Sequence, residues 1–86
     1  MNDDFKQLHA NKGTEMELFI DRIVMIMDHY SISEEEFVSR TRLNPFLFRS
    51  IMTGTVEPTF DFIQKIAVSF KTVNLYWLLL GTGNMK

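Results

Sequence analysis

The sequence predicts an all-α fold, five helices in one compact bundle. Three observations carry this reading. Apolar residues recur at three- and four-residue intervals in several stretches, which is the spacing of one helix face. Ser33, Asn44, Thr59 and Asn74 each stand where a side-chain oxygen would cap the start of such a stretch. Strand-type alternation is absent, as are internal repeats and low-complexity segments. A chain of 86 residues makes one small domain with one modest core. An apolar content of 45%, with eight Phe, supplies that core and excludes a disordered chain.

Residues 1–13 are polar and end in Gly13, which reads as a flexible N-terminal arm ahead of a domain spanning 14–86. Thr14 and Glu17 have the spacing of a capping box, so the first helix is expected over 15–30. Phe19, Ile23, Ile26, Met27 and Tyr30 share its core face. Asp21, Arg22, Asp28 and His29 form its solvated side. Met25 points away from the core face and Val24 lies at its margin; they are either stray surface residues or part of a dimer surface.

The second helix is expected over 33–40, with Ser33 and Glu36 as a second capping box and Phe37 and Val38 as its apolar residues. A turn, Thr41-Arg42-Leu43, leads to Asn44 as the next cap and Pro45 at the first helical position, where a missing N–H costs nothing. In this third helix, 45–53, Phe48 and Ile51 share a face and Gly54 follows as the stop. Two short helices joined by a tight turn form a helix-turn-helix pattern. Thr59 caps a fourth helix, 60–70, with Phe60, Ile63, Ala67 and Phe70 as its expected core stripe and Phe62 and Ile66 beside it. Asn74 caps a fifth, 75–80, closed by Gly81, with Trp77 and its leucine neighbours as a lid on the bundle.

Ser33, Glu36, Phe37, Leu43, Phe48, Ile51, Gly54, Pro58, Phe60, Lys65, Ile66, Ala67 and Phe70 occur at the spacing of a known family, and the tail 74–83, NLYWLLLGTG, matches its usual ending. On these residues the chain resembles the lambda-repressor-like, Cro-type (XRE) helix-turn-helix DNA-binding domains. The chain departs from the family pattern at three places. Glu34 stands where the family usually has Gln, Arg42 where it has a turn glycine, and Pro45-Phe46-Leu47 where it has polar residues.

The resemblance implies a transcriptional regulator of repressor type, which reads double-stranded DNA in the major groove with the helix 45–53. The positions that reach bases fall on Pro45, Phe46, Arg49 and Ser50, and those that touch phosphate on Glu34, Asn44, Thr53 and Thr55. Arg49 would meet guanine O6 and N7, and Phe46 would pack on thymine methyls. Arg40 and Arg42 would add positive charge beside the groove, while a carboxylate at Glu34 would repel phosphate. A homodimer is expected on DNA, one recognition helix per half-site.

The net charge of −2 gives the chain no global attraction to DNA. A second reading follows from the same residues: a helix-turn-helix scaffold that binds a protein partner through an apolar patch of Phe46 and Leu47. Nothing in the sequence supports an enzyme, since it has no phosphate loop, no nucleophile motif and no paired carboxylates. No cofactor or metal is expected, because cysteine is absent and His9 and His29 lie far apart. No run is long and apolar enough for a membrane span, and no signal peptide is present, so a cytoplasmic location is expected.

Overall fold

Five helices follow one another in a computed structural model that describes residues 15–86, with side chains from Leu18 onward. They are α1 (Glu15–Tyr30), α2 (Glu34–Thr41), α3 (Pro45–Met52), α4 (Phe60–Ser69) and α5 (Leu75–Leu80), and the described residues contain no strand. The N-terminal arm and the Thr14 and Glu17 side chains of the first capping box lie outside the described residues.

Local chemistry starts four of the five helices. Ser33 Oγ accepts from the Glu36 amide, Asn44 Oδ1 from that of Leu47, Thr59 Oγ1 from that of Phe62, and Asn74 Oδ1 from those of Tyr76 and Trp77. Each bond satisfies an N–H that has no partner inside its own helix. The Ser33 box is only half made. The Glu36 carboxylate turns away to Arg40, one helical turn on, at 2.8 Å.

The helix ends are equally specific. After α2, Arg42 adopts a left-handed backbone (φ 60°, ψ 33°), and the amides of Arg42 and Leu43 both return to the Val38 carbonyl. This folds Leu43 back into the core, so the left-handed residue at Arg42 lets the chain turn between α2 and α3. Thr41, expected in the turn, is the buried last residue of α2, and its hydroxyl donates to the Phe37 carbonyl at 2.8 Å. After α3, Gly54 takes φ 81°, its amide meets the Ile51 carbonyl and the Thr55 amide meets that of Ser50. That pair of bonds is a Schellman closure, which needs a positive φ at the glycine.

One cluster fills the centre: Phe19, Ile23, Ile26 and Met27 from α1, Phe37 from α2, Leu43, Phe48 and Ile51 around α3, Phe62, Ile66 and Phe70 from and after α4, and Trp77 and Leu78 from α5. Phe37 and Phe70 stack with centroids 5.4 Å apart, and Phe37 meets Phe48 at 5.6 Å. The stripe expected on α4 is out of phase. Phe60 is 77% exposed and Ile63 and Ala67 are only partly buried, whereas Phe62 and Ile66 are fully buried. Burying 62, 66 and 70, at intervals of four, brings Phe70 onto Phe37 and turns Phe60 outward.

Arg22 also differs from expectation. It is half-buried, and its guanidinium donates to the carbonyls of Leu78 at 2.8 Å and Leu79 at 3.3 Å. A cation there closes the C-terminal end of α5 and ties it to α1. Trp77 is buried, as a lid residue should be.

Candidate nucleic-acid interface

Each side of α3 follows from its sequence. Phe48 and Ile51 face the core, Leu47 is half-buried against it, and Pro45, Phe46, Arg49 and Thr53 are exposed, with Ser50 half-buried. Asn44 spends its side chain on the cap, and Pro45 removes one N–H from the helix start. Phe46 is 85% exposed, the most exposed large apolar side chain described. Its position explains this. A rotation of 100° per residue places it opposite Phe48.

Pro45, Phe46 and Arg49 line one shallow hollow of about 230 Å³. On the other side of Arg49, a larger hollow of about 410 Å³ is lined by Glu34, Glu35, Val38, Pro45, Phe48 and Arg49. Arg49 therefore lies between an apolar tip and two carboxylates, yet it makes no ion pair among the described residues. Thr53 and Thr55 are exposed at the far end of α3, their hydroxyls 3.2 Å apart, and Thr53 also donates to the Arg49 carbonyl.

Arg40 and Arg42 do not join this group. They line a separate hollow of about 430 Å³ with Thr41, Asp61, Gln64, Lys65, Val68 and Ser69. The rotation of α2 explains the split. With Phe37 and Thr41 turned to the core, Glu34 and Val38 fall on the flank beside α3, and Glu36 and Arg40 on the flank beside α4. Arg40 is tied to Glu36, and Lys65 to Asp61 at 3.1 Å. The Ser69 hydroxyl donates to the Arg40 carbonyl at 3.1 Å and fixes α4 against the end of α2.

The nine positions singled out in the sequence thus fall into two groups. Asn44, Pro45, Phe46, Arg49, Ser50, Thr53 and Thr55 run along α3 and its exit, while Arg40 and Arg42 sit on the α4 side. Glu35 is a further neighbour of Arg49. Its i, i+1 relation to Glu34 was visible, but its place beside Arg49 depends on how α2 and α3 cross. Among the described residues no group of three or more His, Asp or Glu gathers as a metal site would require, and no helix is long and apolar enough to cross a membrane. Comparison with family models, with curated proteins and with solved structures finds no match to the chain.

Proposed function

We propose that the chain is a sequence-specific DNA-binding regulator of the lambda-repressor-like, helix-turn-helix kind, acting in the cytoplasm as a homodimer. In this reading α2 and α3 are the two helices of the motif, and α3 enters the major groove. The observation that carries it is the exposed strip of α3. One side of it presents Pro45, Phe46 and Arg49 to solvent while the other side is held by Phe48 and Ile51. A short helix anchored from behind, with its start open, is what groove entry requires.

The roles follow from side-chain chemistry. Arg49, without an ion-pair partner among the described residues, has its guanidinium available for a guanine edge. Thr53 and Thr55 offer hydroxyls to phosphate, which positions the helix without reading sequence. Glu34 and Glu35 oppose phosphate on the α2 side, so attraction to arbitrary DNA is weak and base contacts carry a larger share of the affinity. Arg40 and Arg42, on the α4 side, are held back from the groove floor and act at most on backbone phosphates.

A second reading has its own support. Phe46 stands exposed next to Arg49, with Glu34 and Glu35 nearby, and an aromatic anchor ringed by charge suits a protein partner. Selection from a pool of random DNA duplexes with the purified chain separates the two. The DNA reading expects enrichment of one sequence that the chain then binds far more tightly than random competitor. Recovery of unenriched sequence after repeated rounds, with the protein folded, would leave the partner-binding reading.

A further inference from the structure

Arg42 combines two features that groove entry by α3 does not call on. Its backbone is left-handed (φ 60°), a conformation that glycine adopts freely and a Cβ resists. Its side chain is exposed and makes no ion pair among the described residues. It lines the open hollow of about 430 Å³ between the end of α2 and the outer face of α4. Backbone strain of this kind clusters at binding and switch sites.

Asp61, Lys65 and Val68 follow one another at helical spacing on the α4 side of the hollow, and Val68 is 59% exposed. Arg40 and Lys65 also line it, each tied to a carboxylate of its own helix, Glu36 and Asp61. Arg42 is thus the cation left over. A guanidinium is a planar fork that matches a carboxylate through two parallel hydrogen bonds. A free phosphate suits the place less well. Thr41 and Ser69, the last residues of α2 and α4, both line the hollow, so two helix dipoles turn their negative ends to it and repel a dianion more than a carboxylate. The lining side chains are mostly exposed, so the hollow does not enclose a small acid as a pocket would. We propose that it docks an acidic segment of a partner protein, with a carboxylate on Arg42 and a neighbouring apolar side chain on Val68. This surface lies on the opposite flank of α2 from Glu34 and Glu35, so it is separate from the exposed strip of α3 and does not depend on the DNA reading.

The test starts from a displayed library of random short peptides, selected on the purified full chain. Peptides that carry aspartate or glutamate beside an aliphatic residue are expected to enrich, and the strongest is synthesised with a fluorescent label. Its affinity is read by anisotropy for the natural chain, Arg42→Gly, Arg42→Lys and Val68→Glu, with circular dichroism as the check on folding. Arg42→Gly keeps the turn, since glycine takes the same backbone, and is expected to weaken binding by about tenfold or more. Arg42→Lys retains the charge without the fork and is expected to fall between the two. Val68→Glu, at an exposed position, is expected to abolish binding by placing a like charge against the peptide. No enrichment, enrichment of peptides without carboxylates, unchanged affinity in Arg42→Gly, or displacement of the peptide by inorganic phosphate would each overturn the proposal. A loss in Arg42→Gly confined to duplex DNA would assign Arg42 to phosphate contacts and overturn it as well.

Discussion

Arg42 carries a left-handed backbone in which a side chain costs about 1–2 kcal/mol relative to glycine. The conformation is fixed from outside: Leu43 must return to the core, and the Val38 carbonyl accepts from the amides of Arg42 and Leu43. Arg42→Gly is therefore expected to raise stability by about 1 kcal/mol, read as a higher urea midpoint at unchanged slope. An unchanged or lower midpoint would show that the Arg42 side chain compensates for its backbone. Which geometry the turn takes was not legible in the sequence, because an arginine is compatible with a differently shaped turn as well. The caps were legible, since Ser33, Asn44, Thr59 and Asn74 act within three residues of themselves. Arg22 was not. Its partners are the carbonyls of Leu78 and Leu79, more than fifty residues away, and nothing near it in sequence marks it as anything but a surface cation.

At the scale of elements, α4 shows where periodicity runs out. Residues 60, 63, 67 and 70 and residues 62, 66 and 70 are both valid helical stripes, and the chain has an apolar residue at every one of them. Packing against Phe19 and Phe37 chooses the second. Phe62→Ala is thus expected to cost about 3–5 kcal/mol in chemical denaturation, and Phe60→Ala to stay within about 0.5 kcal/mol. The opposite order would mean that α4 is rotated from the position described. The same dependence on packing governs the candidate site. The exposed strip of α3 follows from its own sequence once Phe48 and Ile51 are assigned to the core. The separation of Arg40 from Arg49 follows only when the rotation of α2 is known, because Arg40 on its own helix is free to serve either flank.

For the whole molecule, the DNA reading puts a single short recognition helix on a chain of net charge −2, and such a helix would gain its selectivity from duplication. Leu75, Tyr76, Leu79 and Leu80 leave α5 with exposed apolar surface, and Val24 and Met25 of α1 are exposed as well, so the molecule has apolar surface to lend to a second copy. In the DNA reading, sedimentation on the selected duplex is expected to give two chains per site, with half-sites about one helical turn apart. One chain on its best duplex would count against the homodimer. The central claim, that α3 lies in the major groove with Glu34 facing phosphate, is tested most directly by the affinities of Glu34→Gln and Arg49→Ala for selected DNA at two salt concentrations. Glu34→Gln is predicted to bind more tightly, with a gain that shrinks as salt screens the repulsion it removes. Arg49→Ala is predicted to lose about 1–3 kcal/mol and to relax the choice of base at one position. Unchanged affinity in both variants, with helical circular dichroism intact, would contradict the placement of α3 in the groove.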